Sequence, residues 1–278
     1  MQLIQSFLHW TRYPEKVLVI FLILTCHSAP AQVADNINHY FNHIAGSQVT
    51  EERLSWNDSI KSELINFLKA SKDIYSANIN GVNYLGQISS YDSLLKIFTW
   101  NIPTSPGDNL YNCIIYNRNS DSLFVLEADR GLQDVDTDEV IESTGWYGSL
   151  YYDIQPVGQK GDASYILLGF DPDNVNVNSK VVEIMHFSDN GEPLFGKEII
   201  LAGDDKLKRM IFRYSPLATM ILRFNESRSK IVFDHLSPSS AQFEGVYKYY
   251  GPDFSFDALE IRDGKLVLVE NIDPREDR

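Results

Sequence analysis

A change of hydrophobic period near Ile74, never reversed afterwards, limits what this chain can fold into. Before it, apolar residues recur at helical spacing; after it, they alternate at the period of two that belongs to strands. The alternation defines candidate strands over residues 82–89, 94–101, 110–116, 123–128, 148–156, 164–170, 180–187 and 194–201. Further ones follow over 210–214, 219–224, 230–236, 246–250, 256–261 and 265–271. Ser-Asp-Asn-Gly at 188–191 and Arg-Asp-Gly at 262–264 carry the residues of tight hairpin turns. No long helical pattern interrupts the strands. Crossover βαβ units are therefore not supported, and the sheets are expected to be antiparallel.

The expected fold class is all-β with short N-terminal helices, built from antiparallel meanders. The first helix spans residues 32–46, with Ile37, Tyr40, Phe41 and Ile44 on one face. The second spans 55–71, opened by a Ser55/Asp58 capping pair and striped by Ile60, Leu64, Phe67 and Leu68. Three hairpins share a strand, an aromatic followed by Asn or Asp, a loop and a second strand. Their markers are Trp100-Asn101, Phe170-Asp171 and Phe224-Asn225. The clearest meander covers 208–251, with strands at 210–214, 219–224, 230–236 and 246–250. This irregular repeat allows a sandwich or open barrel, or a propeller-like series of four-strand units.

Residues 1–31 read as a signal peptide: Arg12 and Lys16, the apolar run 17–24, then Ala29-Pro-Ala31. That run is too short to span a bilayer, which takes about 20 residues. The alternative is a lipoprotein leader anchored at Cys26. Residues 32–72 form the helical segment, 73–273 the β domain, and 274–278 a disordered tail. The expected location is the periplasm or the outer envelope, with no transmembrane span after leader cleavage. Cleavage after Ala31 leaves Cys113 as the one thiol. It lies inside an alternating strand and reads as a buried hydrophobe. A formal charge of −14 argues against nucleic acid and against an electrostatic grip on anionic lipid.

Few residues invite chemistry. P-loop, C-x-x-C, H-E-x-x-H and G-x-S-x-G patterns are all missing, and no catalytic residue is assigned. His39 and His43 share a helix face without a third ligand. Asp171, Asp173 and Asn174 open an oxygen-rich loop that is the one candidate for Ca²⁺; no other cofactor is called for. In Asp234-His235 the two side chains point to opposite faces, so Asp234 is expected to pair with Arg213 or Arg223. Rings crowd residues 145–152 and 243–256. Tyr249, Tyr250 and Asp253 beside a Gly-Pro turn, with Trp146 and Tyr147, are the candidate binding residues.

Five segments together carry a resemblance: Gly145-Trp-Tyr-Gly-Ser-Leu-Tyr-Tyr152, Tyr165-Ile-Leu-Leu-Gly-Phe-Asp171, Arg209-Met-Ile-Phe212, Lys230-Ile-Val-Phe-Asp-His-Leu-Ser-Pro238 and Tyr249-Tyr-Gly-Pro-Asp253. Over residues 75–273 the chain resembles a family of uncharacterised exported proteins of Gram-negative bacteria. The resemblance implies export and a single domain, and no chemistry. The functional expectation is a non-catalytic envelope module that binds a protein or a glycan. The alternative is a glycan hydrolase using Asp171, Asp173 and Asp253, which needs two carboxyl groups about 5–10 Å apart.

Overall fold

The computed structural model describes residues 30–133, 135–158, 164–172 and 175–273. Residues 1–29, with most of the expected leader and Cys26, lie outside that set, as do 274–278. Two helices come first, α1 (Pro30–Gly46) and α2 (Thr50–Ala70). Then follow β1 (Gly86–Ser89), β2 (Leu95–Ser105), β3 (Asp108–Asn117), β4 (Ser122–Ala128), β5 (Ile141–Glu142) and β6 (Leu150–Val157). Next come β7 (Ser164–Asp171), β8 (Asn178–Phe187), β9 (Pro193–Phe195), β10 (Ile200–Ala202) and β11 (Asp205–Leu207). The last are β12 (Arg209–Tyr214), β13 (Leu222–Phe224), β14 (Lys230–Pro238), β15 (Tyr250–Arg262) and β16 (Lys265–Val269).

These strands make three open sheets and no closed barrel. The first has the order β1-β2-β3-β4, and the second β5-β9-β8-β7-β6 with β12 also on β8. The third has the order β11-β10-β16-β15-β14-β13. All-β with two N-terminal helices is therefore the observed class. One ladder departs from the antiparallel expectation: Ile200 and Leu201 of β10 pair in parallel with Leu266 and Val267 of β16.

Side-chain alternation stacks the layers. Phe98, Trp100 and Ile102 of β2 meet Ile37, Phe41, Ile60 and Leu64 of the helices. Leu95 and Ile97, on the opposite face of β2, pack against Tyr165 and Leu167 of β7. Ile166 and Leu168 turn the other way, onto Ile231, Phe233 and Leu259 of the third sheet. The first two sheets are thus covered on both faces, which is why β7 reads as a nearly unbroken apolar run from Tyr165 to Phe170 and why Lys96 and Thr99 of β2 are buried. Burial of such side chains contributes about 1.5–3 kcal/mol each.

Helix α1 buries the expected stripe. Helix α2 begins at Thr50, five residues before the expected capping pair, with Glu51 and Glu52 favourably placed in its first turn. Ser55 lies inside the helix, where its carbonyl accepts the Ser59 hydroxyl at 3.1 Å. Among polar anchors, Trp100 Nε1 donates to Asn57 Oδ1 at 2.7 Å, and Asn57 Nδ2 donates to Asn112 Oδ1 at 3.0 Å. Both expected tight turns close hairpins. Gly191 N–H donates to Ser188 O at 2.8 Å between β8 and β9, and Asp263 and Gly264 take positive φ between β15 and β16.

The meander over 208–251 is not one sheet. Arg209–Tyr214 pairs with β8 in the second sheet, Arg209 opposite Glu183. The expected strand at 246–250 is instead a 3₁₀ turn over Tyr247–Tyr249. The real third meander is β13-β14-β15-β16. Its Phe224-Asn225 marker lies at an edge, whereas Trp100 and Phe170 lie on strands flanked on both sides. The three units are therefore not equivalent repeats.

Candidate functional site

The site begins at an interruption of the β14–β15 ladder. Asp234 pairs with Phe256, but Leu236 already pairs with Pro252, so His235 stands opposite the bulged residues 253–255. Bulges of this kind re-aim side chains at sheet edges and sites. Phe254, at φ 73°, is held in a region that a large side chain rarely adopts, and it is 93% exposed.

The bulge is fixed by a carboxylate. Asp253 Oδ1 accepts Ser255 N–H at 3.0 Å and the Ser255 hydroxyl at 2.6 Å, and Oδ2 accepts the Ser237 hydroxyl at 2.8 Å. These hydrogen bonds, with the Ser255 hydroxyl foremost, hold the Asp253 carboxyl below its ordinary range. Beside it, His235 Nδ1 is 2.8 Å from Asp257 Oδ2. Asp257 is buried, and its other oxygen accepts Asn271 N–H at 2.9 Å. The Asp257 hydrogen bond raises the His235 pKa against the opposing pull of desolvation, with Asp253 and Glu270 adding to the rise.

Asp234 faces the other way, as strand alternation requires. It does not pair with Arg213 or Arg223. Its Oδ2 accepts Ile221 N–H at 2.6 Å, and burial pushes its carboxyl up. Arg213 Nη2 instead donates to the carbonyls of Leu132 and Gln133, with its guanidinium over the Tyr247 ring at 5.7 Å.

Two clefts meet at Tyr250. One, of about 310 Å³, lies between β12 and the β14–β15 pair and includes Arg213, His235, Tyr247, Asp257 and Glu270. The other, of about 480 Å³, brings Tyr249, Tyr250 and Asp253 together with Ser237, Lys248 and Leu217. The rings form a rim: Phe243 and Tyr249 lie 4.1 Å apart, Tyr247 and Tyr250 5.3 Å apart. Tyr247 and Tyr249 are exposed, and Leu217 is 98% exposed.

The other candidates are placed elsewhere. Trp146 and Tyr147 are core residues and offer no ring to a ligand: Trp146 Nε1 donates to Tyr151 Oη at 3.0 Å, and Tyr147 Oη donates to Glu183 Oε2 at 2.7 Å. Trp146 and Tyr147 lie in the segment that leads into β6, and with Tyr151 they belong to the core shared by the first two sheets. Asp171 is also buried, so the proposed Ca²⁺ loop loses its first ligand. Its carboxylate accepts from the Tyr111 hydroxyl and, at 2.6 Å, from Leu132 N–H. Asp173 and Asn174 lie outside the described residues. Asp171 in the core and Asp253 on the surface cannot act as a facing acid pair. Cys113 is buried, and desolvation pushes its thiol pKa well up. His39 and His43 pack against Trp56, the latter stacked at 4.4 Å. Among the described residues no group of three or more His, Cys, Asp or Glu is placed to hold a metal ion.

Sequence reasoning missed Asp257. It lies far from His235 in the chain, and the β14–β15 register brings the two together: Asp257 pairs with Phe233, two residues before His235, so both side chains share one face. No helix among the described residues is long and apolar enough to cross a membrane. The fold and its rim define a class: a three-sheet β protein with a helical hairpin over its first sheet and a polar, aromatic-edged site on its third. No protein-family model matches the chain, and neither the curated proteins nor the solved structures contain a match to it.

Proposed function

We propose that this is an exported envelope protein that binds a glycan or a protein segment on the rim formed by residues 243–254. The reading of export rests on the leader pattern in residues 1–31 and on the resemblance over 75–273. The reading of binding rests on one observation, the exposed ring cluster beside a fixed carboxylate. Leu217, 98% exposed, shares a cleft with Tyr249 and the hydrogen-bonded Asp253, and Phe254, which follows Asp253 in the chain, is 93% exposed. Ring faces take the C–H faces of sugars or apolar side chains, and the carboxylate takes hydroxyl or amide donors.

The test is co-sedimentation of the mature protein with purified cell-wall glycan in one arm and capture of envelope proteins in the other. Tyr249→Ala and Phe254→Ala should each weaken retention several-fold with little change in melting temperature. Equal retention of wild type and both variants in both arms refutes the assignment of the rim.

A further inference from the structure

The cleft beside the rim carries an arrangement that ligand binding does not require. Asp257 is clamped on both oxygens, by His235 on one and by the Asn271 amide on the other. A carboxylate held in this way fixes the tautomer of its imidazole: Nδ1 carries the proton, and Nε2 is left with a lone pair. His235 itself is 45% exposed and lines the cleft. The charges acting on it are Asp257 and Asp253 from β15 and Glu270 beyond β16, and Arg213 from β12 and Tyr247 line the same cleft. Phe212, Leu236 and Leu268 give the same cleft apolar wall. A volume of about 310 Å³ suits a small acyl group rather than a long chain. The Ser237 hydroxyl, beside the cleft, donates to Asp253 and is not poised as a nucleophile.

We propose that this cleft hydrolyses small carboxylic esters, with His235 as the general base and Asp257 as its positioning residue. Nε2 takes a proton from a water molecule while the water oxygen bonds to the ester carbonyl carbon. The carbonyl oxygen gains the electron pair, and Arg213 and Tyr247, which line the cleft, are the groups available to that developing charge. The intermediate then collapses, the carbon–oxygen ester bond breaks, and the departing alkoxide takes the proton from the imidazolium. The products are a carboxylic acid and an alcohol, and no other reactant is consumed. This inference stands apart from the binding role of the rim and can hold or fail without it.

The experiment follows p-nitrophenyl acetate hydrolysis by the full chain between pH 5 and 8.5, with melting temperature recorded for every variant. His235→Gln keeps His39 and His43, so it measures the background of ordinary surface imidazoles. General-base catalysis predicts that wild type exceeds it by about 100-fold or more. The wild-type rate should rise through a midpoint above the ordinary histidine value of about 6.5. Asp257→Asn should move that midpoint down, because the neutral amide no longer favours imidazolium. A positioning role that was merely structural would lower the rate without moving the midpoint. A wild-type rate within twofold of His235→Gln overturns the proposal. So does a flat wild-type profile across that range, which needs no variant to fold.

Discussion

The ion pair between β8 and β12 sets the largest single-residue effect expected of this fold. Glu183 and Arg209 are directly opposed across the ladder and fully buried. Arg209 Nε donates to Glu183 Oε2 at 2.8 Å, Nη2 to Phe195 O at 3.0 Å, and Nη1 to Asp136 O. Glu183 also accepts from Tyr147 Oη at 2.7 Å and from Ile184 N–H at 2.8 Å. Glu183→Gln preserves the shape and leaves the guanidinium buried without a counter-charge. Breaking such a pair costs about 3–5 kcal/mol. For a chain of this size that is a melting-temperature drop of about 6–20 °C. Arg209→Met should cost a similar amount and release the loop around Asp136 to amide exchange. The double variant Glu183→Leu/Arg209→Met should lose less than either single variant, because no charge is then stranded.

The pH dependence follows from the same contacts. Burial raises the Glu183 pKa, and Arg209 opposes that rise. Without Arg209, the folded state holds a proton more tightly than the unfolded one, so stability falls as pH rises. The deficit of Arg209→Met should therefore shrink as pH drops from 7.5 toward about 4.3, the ordinary glutamate value. Urea denaturation of the two single variants and the double variant measures all of this. Single-variant losses below about 1 kcal/mol, or a double-variant loss equal to their sum, would refute the assignment of a strongly coupled buried pair.

Asn57→Ala should cost about 1–3 kcal/mol in urea denaturation, since Trp100 Nε1 loses its acceptor and Asn112 Oδ1 its donor inside the helix–sheet interface. Gly169→Ala places a Cβ 2.3 Å from Ser149 Oγ and 2.8 Å from Val181 Cγ1, so a loss of about 1–3 kcal/mol is expected. Adding Ser149→Gly should recover part of that loss. An unchanged denaturation midpoint for Gly169→Ala would show that the second sheet yields where its packing is tightest.

Local pattern carried the fold class well. The helix stripes at Ile37 and Ile60, the alternation in β3 and β14, and the turns at Gly191 and Gly264 depend on near neighbours, and each is where periodicity put it. Partner choice is a different matter. Residues 209–214 alternate like any strand, yet which sheet they join is decided by Glu183 waiting opposite Arg209. Residues 194–201 read as one strand, but Gly196 at φ 101° breaks it, and the two parts enter different sheets. Tyr247–Tyr249 has the rings of a strand, while Gly245 at φ 77° turns the chain before it. For the site, the exposure of Tyr249 and Asp253 was legible because a Gly-Pro turn exposes its neighbours, while Tyr250 is half-buried. Trp146 and Tyr147 were misread because ring density alone does not tell a rim from a core. The His235–Asp257 contact was hidden because it depends on the register that sets Phe233 against Asp257, and periodicity within one strand does not mark register.

The parallel ladder between β10 and β16 has a consequence for how the molecule is assembled. The third sheet cannot close on β10 until β16, the latest of the strands, is present to bridge it to β15. A chain folding in order from its N-terminal end would hold the β10–β11 hairpin waiting, with one side of β10 unpaired. Only arrival of the last hairpin would complete that strand's pairing. The fold thus contains its own check for completeness: a chain interrupted after β15 loses β16 and, with it, the docking of a hairpin encoded far upstream.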